Sequence, residues 1–297
     1  MSNSNRSGLS TPTVLILLVV ALAVGAGAGI FGWIWISGGS GEASLSAQDA
    51  LATRTAEDAK LAAAVGTAVG DAINNALPDA VNVAVANAVD LAVGAAMDTM
   101  ITEVVDTVAA AQETIEPVTF SIVAAESRAT FTLEEDLRGA RTTVVGATND
   151  VAGVINVNLA DPAASSIGTI IINARTLETD NNFRNRAIRS QILKSAQDAY
   201  EFIVFEPRVL KNFSADSIAV GETITFDVSG DLTVVDVTRT VTFAAEVTLD
   251  SETQLSGTAT VNVLHGDFAL TIPDVPSVAN VTDDVDLTLR FVARASS

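Results

Sequence analysis

The sequence predicts a mainly β protein: a closed antiparallel β-barrel of about eight strands with one inserted helix, preceded by a transmembrane helix and an Ala-rich helical spacer. Three observations predict it. From Thr223 to Asp250 apolar and polar side chains alternate with period two on both sides of a break at Asp236-Val237, the pattern of a half-buried hairpin. Several stretches after Val118 alternate in the same way, whereas the residues before Val118 fall into a charge-free apolar run and an alanine-rich one. A sheet with one dry face must be covered, and a chain with many strands and few helices covers it by curling the sheet on itself. The expected division is a cytoplasmic tail at 1–12, a transmembrane signal anchor at 13–36, a helical spacer or stalk at 37–117 and the barrel at 118–297.

Thr13 to Ile36 runs 24 residues without a charge. At about 1.5 Å per residue such a helix crosses a hydrocarbon core of roughly 30 Å. Ala26-Gly27-Ala28 resembles a signal-peptidase site, but cutting there would leave Ile30, Phe31, Trp33, Ile34, Trp35 and Ile36 at the new terminus. Because a signal peptide's apolar region is also shorter, the uncleaved anchor is favoured. Trp33 and Trp35 would lie at the far interface, and Arg6, the single charge before the run, sets the tail inside. The expected location is therefore the cell membrane, single-pass, with the carboxy-terminal domain extracytoplasmic. Gly25 and Gly29 form a GxxxG pair, a spacing that packs membrane helices but is also common filler.

Between Gly41 and Pro117, apolar pairs recur every four residues from Ala64-Val65 to Ala92-Val93. A repeat of four overshoots the helical period, so the stripe drifts with the hand opposite to a heptad's. Pro78 should break the run, giving helices from about Ser46 to Leu77 and from about Asp79 to Thr114. A helix lying on a membrane needs basic residues on its polar face; this segment carries Asp71, Asp79, Asp90, Asp98, Glu103 and Asp106. Two readings stand: a self-associating stalk that makes a homo-oligomer, and a low-complexity spacer.

In the last part, Ala129, Phe131 and Leu133 alternate against Arg128, Thr130 and Thr132, and Val285, Leu287, Leu289 and Phe291 against Asp286, Thr288 and Arg290. Ile155-Val157-Leu159, Ile170-Ile172-Ala174 and Leu255-Ala259-Val261-Val263 extend the theme. One helix is expected from about Asn182 to Gln197, with Phe183, Ala187, Ile188, Gln191 and Ile192 on one face.

The chain's net charge of −20 argues against nucleic acid, which is bound through clustered Lys and Arg. Cysteine is absent, which excludes disulfides, thiolate nucleophiles and Cys-based zinc sites.

Four segments carry a family resemblance: Gly230–Phe243 (GDLTVVDVTRTVTF), Arg184–Ser190 (RNRAIRS), Tyr200–Phe205 (YEFIVF) and His265–Leu270 (HGDFAL). In order and spacing they resemble the YceI family of extracytoplasmic polyisoprenoid-binding proteins, over about Val118 to Ser297. Ala187, Asn185 and His265 stand where that family's segments usually have histidine, aspartate and arginine. The resemblance implies a lipocalin-like barrel holding an isoprenoid lipid, a polyprenyl phosphate or a quinone, as carrier or reservoir, with no other cofactor.

The large side chains on the expected inward parity are the candidate lipid contacts: Phe131, Ile155, Ile172, Phe226, Val228, Phe243, Phe268, Leu287 and Phe291. For any one of them plain core packing is the commoner role. Arg184, Arg186 and Arg189 form, with Lys194, the densest basic patch; they would meet a head group or form a solvated helix face. No catalytic or metal constellation stands out. His265 is the single histidine, no GxSxG elbow is present, and Asp283, Asp284 and Asp286 lack calcium-loop spacing. A binding protein is expected rather than an enzyme, with a structural surface protein built on a solid barrel as the alternative.

Overall fold

The computed structural model describes residues 39–76 and 117–296. The expected membrane segment at 13–36, its glycine pair and the second expected helix, Asp79 to Thr114, lie outside the described residues. Among the described residues no helix is long and apolar enough to cross a membrane.

The central hairpin forms where the alternation places it. Strands β9 (Thr223–Val234) and β10 (Val237–Ser251) pair antiparallel across the two-residue turn Val235-Asp236. Their dry face carries Ile224, Val228 and Leu232, each at most 5 % exposed. The wet face is held by cross-strand hydroxyl pairs: Thr223 with Thr248 at 2.7 Å, Ser229 with Thr242 at 2.8 Å and Thr233 with Thr238 at 2.9 Å.

Around the hairpin a single antiparallel sheet of 13 strands curls on itself. β8 (Phe202–Lys211) lies beside β9, β11 (Gln254–Leu264) beside β10, and β13 (Asp284–Ala295) beside β11. β13 then divides its other edge. Its first half pairs with β2 (Arg128–Leu137), which also carries β3 (Ala140–Thr148) and β12 (Val278–Ala279). Its last residues pair with β1 (Val118–Ile122), which continues to β5 (Val154–Val157) and β6 (Ser166–Ile167). At the other end, β7 (Ile170–Asn173) joins β8 to β4 (Val151–Ala152).

The expected closed barrel is thereby corrected to a curled sheet whose ladder path runs from β4 to β6 and does not close. The cause lies at Gly153. The chain turns there, so that β4 pairs with β7 while β5, one residue further on, pairs with β1. The two flanks are connected by the covalent chain and by the Ile122 amide donating to the Gly153 carbonyl at 2.9 Å, with no ladder between them. The strand count also exceeds the expected eight, because irregular backbone cuts the alternating stretches into short pieces.

Helix α1 spans Ala47–Ala76, within a residue of the expected Ser46 to Leu77. Ser46 starts it: its hydroxyl accepts the Asp49 amide at 3.1 Å and donates to the Asp49 carboxylate at 2.7 Å. The first turns lie on the outer face of the sheet, where Ala47 and Leu51 pack with Ala152 and Ile171. Residues 39–54 therefore pack against the sheet. Further along α1, Leu61, Val65 and Val69 are 65, 53 and 51 % exposed.

Helix α2 spans Asn182–Ala187 and passes into a π-helical turn over Ile188–Ile192. The expected continuation to Gln197 fails because Lys194 adopts φ of 52°, which a right-handed helix cannot contain.

Candidate functional site: an apolar lumen with a polar rim

Inside the curl lies a cavity of about 360 Å³. At about 30 Å³ for each water in the liquid it has room for roughly a dozen, so the interior is hollow. All nine residues expected as lipid contacts line it: Phe131, Ile155, Ile172, Phe226, Val228, Phe243, Phe268, Leu287 and Phe291. Phe131, Ile172, Phe226, Phe243 and Leu287 are only half-buried although they point inward, because they face space rather than other side chains. Along β11 the lining runs from Leu255 to Val263, eight steps of about 3.3 Å or roughly 26 Å. The lumen is long and slender.

Its two ends differ. Where β9 and β11 begin, the core is solid: Phe120, Leu249 and Leu255 are each less than 2 % exposed. The opposite end holds the rim, built from α2 and its π turn (Phe183, Arg184, Ala187, Ile188, Ile192), from His265, and from the segment Leu270–Val281. The three ionisable lining residues, Glu135, Arg184 and His265, all sit at this end. Glu135 is on the inward parity of β2 and 6 % exposed, and Arg184 donates to it at 2.6 Å and to Asp180 at 2.6 Å. Nδ1 of His265 faces the Leu270 carbonyl at 3.3 Å and its Nε2 the Asp283 carboxylate at 3.4 Å. Among the described residues no hydroxyl bonds to this ring, and none cluster as a metal site.

Glycines hold the lining rings against the wall. Gly146 pairs directly with Phe131 and Gly257 with Phe291, and each ring lies where the glycine's side chain would be; a Cβ on Gly257 would come within 2.8 Å of the Phe291 ring. Gly230 does the same for Phe205, and its missing Cβ also admits the β8 backbone at the register shift between Pro207 and Val209. The signal for this device was present in the sequence as glycines inside alternating stretches. The rim residues of Leu270–Val281 carried no signal, since Pro273 and Pro276 interrupt any period there.

The three arginines are placed differently. Only Arg184 lines the lumen. Arg186 donates to the Gly39 carbonyl at 3.2 Å. The Arg189 guanidinium lies against Gly41, whose φ is 81° and whose Cβ would fall 2.8 Å from Nη1. Burial, and then the neighbouring Arg186, lower the pKa of Arg189. Of the residues read as a head-group contact or a solvated helix face, Arg184 stands at the rim while Arg186 and Arg189 lie against the segment from Gly39 to Arg54, here called the strap.

That strap, Gly39 to Arg54, is fastened by a buried polar network. Glu201, 1 % exposed, accepts the Ser44 amide at 2.8 Å and the Ser44 hydroxyl, and sits 3.2 Å from Arg175. Asn173, fully buried, donates to the Leu45 carbonyl and to Glu201, both at 3.1 Å. Asp150 accepts the Ala47 amide at 2.9 Å, and Arg54 pairs with Glu206.

Comparison with known proteins comes down to one family. A model of the YceI-like domain matches residues 120–293. No curated protein matches. Among solved structures the chain is similar to a polyisoprenoid binding domain from Saccharophagus degradans (16 % identity, 60 % of this chain and 99 % of that one, TM-score 0.47). It is also similar to BcnA of Burkholderia cenocepacia (15 % identity, 58 % and 98 %, TM-score 0.47) and to the Campylobacter jejuni YceI protein (17 % identity, 51 % and 85 %, TM-score 0.39). Since the family model spans more than half of the sequence, from within β1 to within β13, the chain belongs to the YceI-like family.

Proposed function

We propose that this chain binds an isoprenoid lipid in its lumen, as a membrane-anchored, extracytoplasmic carrier or reservoir and not as an enzyme. The observation that carries the reading is a slender apolar hollow whose ionisable groups are confined to one end. A prenyl tail would lie along Phe226, Val228, Phe243, Leu287 and Phe291, contributing about 0.8 kcal/mol for each buried CH₂, with its head at the Glu135–Arg184 rim. Between the two head groups considered, the rim supports the uncharged quinone. Arg184 is already matched by Glu135 and Asp180, so a phosphate would have to displace a buried carboxylate. A solid structural barrel is disfavoured by the half-buried inward aromatics.

The test is uptake of a long-chain isoprenoid quinone by the purified chain, beside Ala259→Phe and Ala245→Phe, which place a ring in the lumen from small lining residues. The expected result is saturable uptake near one lipid per chain, lost in variants that keep wild-type circular dichroism. Uptake that survives both plugs, or its absence from the wild type, counts against the reading.

A further inference from the structure

We infer that the strap Gly39–Arg54 fixes the rim of the lumen against the bilayer, so that lipid passes between membrane and lumen at this face. The inference rests on the proposed function and on residues 13–36 as the anchor. The apolar run ends at Ile36, and Gly39 is bonded to Arg186 in α2, the helix that forms the rim. From Ile36 to Gly39 there are three Cα steps of about 3.8 Å, at most roughly 11 Å. Gly39, and with it the Arg186 guanidinium, is therefore tethered within about one helix diameter of the end of the apolar run. Nothing in this segment acts as a spacer, because Ser44, Leu45 and Ala47 are already held by Glu201, Asn173 and Asp150. α1 then leads away from the rim: Leu51 packs on Ile171, and Arg54 meets Glu206, five residues along β8 from its rim end.

The chain has no cysteine, so single labels are clean. Asn182→Cys at the exposed start of α2 and Glu252→Cys at the exposed β10–β11 turn mark the two ends of the sheet. The full chain is reconstituted in phosphatidylcholine–phosphatidylglycerol vesicles containing head-group nitroxide lipid, and quenching of an environment-sensitive dye is measured at each site. The expected result is quenching at position 182 several-fold stronger than at 252. Ser44→Pro with Leu51→Asp, which unfastens the strap outside the lumen, should reduce that difference while quinone uptake in detergent persists. Equal quenching at both sites, stronger quenching at 252, no dependence on the strap, or a chain washed from the vesicles by carbonate would overturn the inference. Loss of quinone uptake with the quenching pattern intact would instead count against the lipid reading alone.

Discussion

At the scale of single residues, the lumen depends on what is missing as much as on what is present. Gly257 leaves room for the Phe291 ring, so Gly257→Ala should push that ring off the wall. Urea denaturation is expected to show a loss of about 1–3 kcal/mol, the usual result of overpacking, together with weaker quinone uptake. Glu135 neutralises Arg184 at the rim. Glu135→Gln should therefore lower stability by about 1–3 kcal/mol and raise the ratio of polyprenyl phosphate to quinone bound, measured by competition; an unchanged ratio would remove Arg184 from the head-group site. On the wet face, the Thr240 hydroxyl and then Arg208 hold the Asp231 carboxyl below its ordinary value of 3.8. A carboxyl with a depressed folded-state pKa adds stability above its unfolded value and loses it as the pH falls through the folded one. The stability gap between wild type and Asp231→Asn should thus be fully open at neutral pH and close as the pH drops below about 4.

At the scale of elements, α1 serves two surroundings. Its first turns complete the outer wall, so Leu51→Ala should cost about 2–4 kcal/mol and expose the strap to limited proteolysis near Gly41, with the sheet left intact. The rest of the helix leaves Leu61, Val65 and Val69 in solvent; if the stalk reading holds, replacing these three with serine should convert a sedimenting oligomer to monomer. α1 was legible in the sequence because Ser46 and Pro78 frame an unbroken run. Its docking was not, since Glu201, Asn173 and Asp150 lie more than a hundred residues away and nothing local marks them as its partners. α2 was half legible. Its apolar face reaches the lumen through Phe183, Ala187, Ile188 and Ile192, but the positive φ at Lys194 that stops it has no glycine or asparagine to announce it.

For the whole molecule, period two determined which strand side chains face inward: eight of the nine residues chosen on that basis line the cavity from strands, and Phe268 reaches it from a 3-10 turn after β11. Parity cannot say whether a sheet closes, because closure depends on which edges meet, and here a single glycine sends consecutive strands to opposite flanks. Nor does parity separate a plugged interior from a hollow one; that follows from the glycines beneath the rings. The most direct test of the central claim is to load the chain with a quinone carrying a diazirine on its prenyl tail, irradiate, and map the adducts by peptide mass spectrometry. Adducts should fall on inward positions such as Phe226, Val228, Phe243 and Leu287 and spare outward neighbours such as Thr225, Asp227, Thr242 and Asp286. Adducts spread over both parities, or confined to α1, would contradict a lipid held inside the curled sheet.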